Sequence, residues 1–386
     1  ALRLNIQNVP QALRDFAVDA MKQQVERSLQ QAEENADGDD DVQLQPQIAR
    51  HQVEMLGKAI NEIDAITLGW SIDSEGKRAL IDLNMTAIEG SDTAKQLASV
   101  SNSASKFAGF LMPEALLTAH MNSVAQEADI EQSLAMLGQL RSHIMDSIDE
   151  DEDLPDEEAK DLVKELVGEA LDVAEATVKN GRFNGGLTVV GEGPLTIVAG
   201  GMVADGEKLA EVAKKFIKLA ENEPDVPEVK LDVDEHKGVK FHTATIPLPD
   251  DEDGEKAKQI FGEEALVTVG FGPDSFYVAL GDDGLETIKA VMDKSAEGAS
   301  EELPPLEISL ALAPLMKLAA QQDDANPGVA MIAESLKEGG ADHLKITVRP
   351  IENGVQYQIE GEEGIIKLIG SGAKLAQAAG GAGGIE

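Results

Sequence analysis

Five stretches of the chain fold back on a turn, and in four of them apolar and polar residues alternate. The first turns at Glu75-Gly76. Pairing outward from that loop sets Ile72 against Ala79, Trp70 against Ile81, Leu68 against Leu83 and Ile66 against Met85. The apolar residues then share one face, and Asp73 meets Arg78 across the strands. Pro273-Asp274 likewise sets Phe271 against Phe276, Val269 against Val278 and Val267 against Leu280. Asn353-Gly354, a strong hairpin signal, pairs Val348 with Ile359 and Pro350 with Tyr357. A fourth hairpin turns at Glu192-Gly193, where both faces are apolar and the register stays open. The fifth takes a three-residue loop ending in Gly238. Val233 then faces Phe241 with Leu231 on the same side, while Asp234–Lys240 and Asp232–His242 point outward.

Four of these hairpins run into segments of helical spacing, over 91–103, 205–221, 284–295 and 363–377. In the second, Leu209, Val212, Ala213, Phe216, Ile217 and Ala220 form one stripe behind an Asp205 N-cap. Residues 112–179 read as helical almost throughout, with the clearest stripe from Leu162 to Ala174. A longer repeat is also visible. Residues 2–16 and 306–320 each read as a strand, a proline and a helix, followed by Gln-Gln and an acidic loop.

The expected organisation is therefore a β-α-α-β-β-α module over 1–104, a helical segment over 105–180 and a hairpin-rich middle over 181–303. A second β-α-α-β-β-α module covers 304–378, and an Ala/Gly-rich tail covers 379–386. The fold class is α+β: a large, mainly antiparallel sheet of about twelve strands built from repeated ββα units. Helices lie mainly on one face, and the flanking modules suggest internal duplication.

Charge narrows the partners. Seventy-two Asp and Glu against thirty-two Lys and Arg give a net charge of −40 over 386 residues. Such a polyanion repels phosphate backbones and anionic lipid, and attracts divalent cations or basic partners. No apolar run has the length of a transmembrane helix. With no cysteine, the chain has neither disulfides nor thiolate metal sites. It opens at Ala1 on a strand, as it would after removal of a signal peptide or if its true start lay further upstream.

Candidate chemistry is sparse. Asp37, Asp39 and Asp41 alternate as calcium-loop ligands do, and so do Asp149, Asp151 and Asp153. Neither run has the glycine at position six or the glutamate at position twelve of an EF-hand, which leaves loose calcium binding or a solvated linker. Asp232 with His242 is the best transition-metal pair by ligand type, and a cross-strand ion pair explains it equally well. Ser103 and Lys106 fit an S-x-x-K spacing without its partner motifs. No catalytic constellation and no required cofactor emerge.

Three stretches carry a resemblance: 105–113 (SKFAGFLMP), 241–249 (FHTATIPLP) and 266–281 (LVTVGFGPDSFYVALG). They resemble large exported proteins of unknown function from planctomycete-type aquatic bacteria. The likeness implies a cell-envelope or extracellular location and carries no site residues with it.

The leading expectation is a non-enzymatic, exported structural or interaction protein with an acidic surface, forming an oligomer or layer with bridging cations. The alternative is a carrier of amphiphiles. Phe107, Phe110, Leu111 and Met112 would line its pocket between sheet and helices, unless they are ordinary core.

Overall fold

The computed structural model describes the chain apart from 36–52, 221–228, 321–328 and 371–386, and shorter gaps at 54–56, 59, 152–153, 155, 192, 250–251, 263, 330–331, 334–335 and 337–340. Its strands are β1 (Leu2–Asn5), β2 (Ile63–Asp73), β3 (Arg78–Ala87), β4 (Ser103–Ala104), β5 (Leu117–Val124), β6 (Arg182–Val190), β7 (Thr196–Met202) and β8 (Val229–His236). They continue as β9 (Val239–Pro247), β10 (Glu264–Gly272), β11 (Ser275–Leu280), β12 (Glu302–Leu303), β13 (Leu306–Ala311), β14 (His343–Ile351) and β15 (Gly354–Glu362). The described helices are α1 (Gln11–Asn35), α2 (Asp92–Ser99), α3 (Glu127–Glu150), α4 (Glu157–Lys179), α5 (Gly206–Ala220), α6 (Glu252–Phe261), α7 (Gly284–Glu297) and α8 (Leu312–Ala320).

Thirteen strands form one sheet in the order β1-β2-β3-β15-β14-β13-β5-β6-β7-β11-β10-β9-β8, antiparallel at every pairing, and β4 pairs with β12 separately. The protein is thus α+β with a large antiparallel sheet. The order resolves into four units, each contributing three neighbouring strands. They run β1-α1-β2-β3-α2, then β5-α3-α4-β6-β7-α5, then β9-α6-β10-β11-α7, and finally β13-α8-β14-β15 with a helical stretch over 363–370. Closing strands pair with closing strands (β3 with β15, β7 with β11), and opening strands with opening strands (β13 with β5). The fourth unit lies beside the first, although more than 200 residues separate them in sequence.

The segment 105–180 departs from its helical reading, because 117–124 is strand β5 at the centre of the sheet. The strand alternates as it should, but its buried positions are the polar Thr118, His120 and Asn122. Two hairpins pair as their turns dictate: Ile72 with Ala79 through Ile66 with Met85, and Phe271 with Phe276 through Val267 with Leu280. The other two readings shift. Asn353 takes φ +53 inside a two-residue loop, so Val348 meets Tyr357 and Ile346 meets Ile359. Lys237 and Gly238, both at positive φ, form another two-residue loop, so Asp234 meets Phe241. A bulge at Asp232, φ +51, then absorbs the extra residues before Lys230 pairs with Thr243.

Following side-chain parity across the register separates two unlike faces. One is mainly aliphatic. Trp70, Ile81, Ile359, Ile346, Ile308, Ala119, Leu187, Ala199, Val278 and Val269 form a single row across ten strands. The other face changes character along its width. Over the first and fourth units it holds Asp73, Arg78, Asp82, Glu307, Lys345 and Glu360. Over the second and third it holds Val198, Phe241, Tyr277 and Ala279, on which α7 packs Ile288, Val291 and Met292. Helix α5 closes on the opposite side near β10, where Lys214 reaches Asp232 beside His242. The second and third units therefore carry helices on both faces.

Glycines make room for that core. His120, Gly186, Gly200, Tyr277, Gly270 and Phe241 form one cross-strand row. Phe110 lies over Gly186, where a Cβ would sit 2.4 Å from its ring, and Phe241 lies over Gly270, where the distance would be 2.5 Å. Phe107, Phe110 and Tyr277 meet at centroid separations of 5.8–6.5 Å. Burial holds the Tyr277 phenol up at about 12.

Candidate functional site

Among the described residues, the aliphatic face lacks a full cover where the first and fourth units meet. Its rows there are Leu2-Leu68-Leu83-Tyr357-Val348-Leu306-Met121 and Trp70-Ile81-Ile359-Ile346-Ile308-Ala119, with Ile72 beyond them. Trp70 is 61% exposed, Ile72 71%, Leu2 64% and Met121 47%, and Leu4, Ile81, Leu83, Tyr357 and Ile359 are also open. No ionisable acid or base except the Tyr357 phenol stands in these rows, in a chain that is 27% Asp, Glu, Lys and Arg. Soluble chains scatter single exposed apolar residues, whereas a contiguous patch of this kind marks an interaction site. Among the described residues, covering helices are few here. Helix α2, N-capped by Ser91, buries Thr93 and Ala94 beside β3 and β15, and Ile365 packs on Gly361.

Behind this plate, on the charged face, a cleft of about 350 Å³ opens between Leu111-Met112-Pro113 and the strands β5, β13, β14 and β15. Its floor carries Thr118, Glu307, Ser309, His343, Lys345, Glu360 and Glu362. Lys345 Nζ meets Glu307 at 2.6 Å, His343 Nδ1 meets Glu362 at 3.0 Å, and Arg78 Nη1 reaches Glu360 at 3.3 Å. Each carboxylate thus already has a basic partner. A second Glu362 contact, from the His343 backbone N–H at 2.7 Å, fixes the ring beside it.

A buried polar knot ties the loop 103–113 to the sheet. Ser105 Oγ accepts the Phe107 N–H at 2.9 Å, contacts His120 Nε2 at 2.7 Å and donates to Asn184 Oδ1 at 2.8 Å. With that hydroxyl proton committed to Asn184, His120 donates from Nε2 and keeps an unpartnered Nδ1 lone pair. Burial depresses the His120 imidazole to about 4. A serine touching a histidine invites a nucleophilic reading. Ser105 and His120 are 2% and 1% exposed, so no substrate reaches either without displacing the loop.

The residues singled out from sequence scatter. Phe107, Phe110 and Met112 belong to the buried core, and Leu111 and Met112 also rim the cleft. Asp37, Asp39, Asp41 and Asp153 lie outside the described residues. Asp149 pairs with Lys164 and its carbonyl accepts from Lys160 at 2.5 Å, while Asp151 caps the C-terminus of α3. His242 is buried on the aliphatic face rather than outward, because of the two-residue turn and the bulge. Its Nδ1 accepts the backbone N–H of Asp232 at 2.8 Å, while the Asp232 carboxylate goes to Lys214. Burial lowers the His242 imidazole, against the pull of Asp232. Among the described residues no group of three or more acids, histidines or cysteines could hold a metal, and no helix is long and apolar enough to cross a membrane. Sequence reasoning paired the residues of the open face correctly in β2–β3 but expected helices over them. No family model, curated protein or solved structure matches the chain.

Proposed function

We propose that this chain is a non-enzymatic interaction protein, acidic and exported, that works through the uncovered aliphatic face of its first and fourth units. One observation carries the reading: apolar rows six or seven strands wide, free of acids and bases other than one phenol, left open in a chain of net charge −40. Burying such a surface is worth roughly 25 cal/mol per Å², so leaving it in water is costly unless a partner takes it up. Export rests on the resemblance of three stretches to exported proteins. The acidic exterior keeps the chain off phosphate and anionic lipid while the plate provides adhesion. Loose calcium on the acidic runs would add to assembly by screening that charge.

The test uses a neutral, environment-sensitive dye such as Nile red, in dilute low-salt solution where charge keeps chains apart. The native chain is expected to bind it, and Leu68→Asp with Ile81→Asp to abolish binding at an unchanged melting temperature. Absence of dye binding, or a loss of stability of the size seen for core substitutions, would refute the open face.

A further inference from the structure

The aliphatic plate has a composition and a size that select among occupants. From Leu2 to Met121 it spans seven strands, and from Ile66 to Ile72 four side-chain rows. At the usual strand spacing and rise this is about 30 Å by 20 Å. Its open side chains leave on the order of 1,000 Å² in water, which is what one partner brings to a stable interface.

Polarity is the second discriminator. Transient interfaces between different proteins carry about one hydrogen bond per 100–200 Å², with charged rims that set partner choice. Here the exposed positions are Leu2, Leu4, Leu68, Ile72, Ile81, Leu83, Met121 and Ile359, with the Trp70 indole and the Tyr357 phenol the sole polar atoms among their side chains. That is the make-up of an obligate homodimer interface, a core divided between two chains. Lipid fits less well. The net charge of −40 opposes anionic bilayers.

Resting on the interaction reading above, we infer that the occupant is a second copy of this chain, packed plate to plate about a twofold axis. The contact is isologous, so each residue of the plate meets a plate residue of the partner. Two sheets facing each other through aliphatic side chains pack about 10 Å apart, as in a sandwich. Repulsion between two chains of −40 opposes the contact, so the dimer strengthens as salt screens the charge.

Trp70 is the chain's single tryptophan and stands within the plate, so its emission reports the contact directly. The experiment measures absolute mass by light scattering together with Trp70 emission, across protein concentration and from low to high salt. Expected are a mass of twice 40.9 kDa at moderate salt, a shift of emission to shorter wavelength in step with it, and reversal of both by Ile72→Asp. Leu13→Asp, an equally open leucine on α1, should leave both unchanged.

A monomer at every salt with Trp70 in water overturns the second copy. If vesicles of phosphatidylcholine then shift the emission, the interaction reading survives with lipid as the occupant. A monomer whose Trp70 is already shielded means the chain covers its own plate, and both readings fall. A dimer that ignores Ile72→Asp, with Trp70 still in water, places the contact elsewhere and also overturns the inference.

Discussion

His120 shows what a single buried ring costs this protein. It stands opposite Glu307, which is itself held by Lys345, and its Nε2 is committed to Ser105. Burial depresses its pKa to about 4 from 6.5. The unfolded chain therefore takes up the proton first as pH falls. The stability contributed by the neutral ring is complete above about pH 6.5 and is lost on the way down to about 4, at roughly 1.4 kcal/mol per pH unit. At pH 5 this amounts to about 2 kcal/mol relative to pH 7. Protonation of carboxylates over the same range relieves self-repulsion and offsets the loss, so the comparison has to be internal. Urea unfolding of the native chain and of His120→Gln at pH 7 and pH 5 isolates the ring. The native chain should lose about 2 kcal/mol more than the variant. Equal losses would mean that the ring is solvated and that the knot around Ser105 is looser than drawn.

At the scale of elements, legibility followed the turns. Glu75-Gly76 and Pro273-Asp274 fixed two registers residue by residue, because an apolar face on each strand allowed no slip. Asn353-Gly354 misled by position, because the loop is Glu352-Asn353, and Gly238 by length, because its loop holds two residues and not three. Strand β5 could not be read at all, since Thr118, His120 and Asn122 face inward and mimic a polar stripe. The signal that could have found it is the glycine pair Gly185-Gly186 in the neighbouring strand, where the missing side chain of Gly186 leaves room for Phe110. Gly186→Ala should cost about 1–3 kcal/mol through overpacking, and Phe110→Ala about 3–5 kcal/mol through the cavity it leaves. Together they should cost less than their sum, because removing the ring makes room for the new methyl. Strict additivity in denaturant midpoints would show that Phe110 does not rest on Gly186.

For the whole molecule, order along the chain and order in the sheet diverge, and this decides which parts can stand alone. The aromatic core, from Phe107 to Met292, comes from the loop that leads into β5 and from the second and third units, whose strands β5 to β11 are contiguous in the sheet. The first unit buries Val18, Leu29, Ile63 and Ala65 without any aromatic ring, and leaves its strand face open: β1 is exposed at every residue, and Trp70, Ile72 and Ile81 are open to water. Its longest contact in the sheet, β3 with β15, must wait for residue 362, a long loop closure whose entropy is met only by late contacts. The first and fourth units look alike in sequence because both open on a strand, a proline and a helix. The second and third units were obscured by β5 and by the extra edge strand β8. If this division of burial is right, residues 105–300 expressed alone should unfold in one cooperative transition with a distinct near-ultraviolet signal from Tyr277 and the phenylalanines. Residues 1–104 alone should show none. A cooperative 1–104 would mean that its helices cover the aliphatic plate after all, and the surface assigned to a partner would then belong to the chain itself.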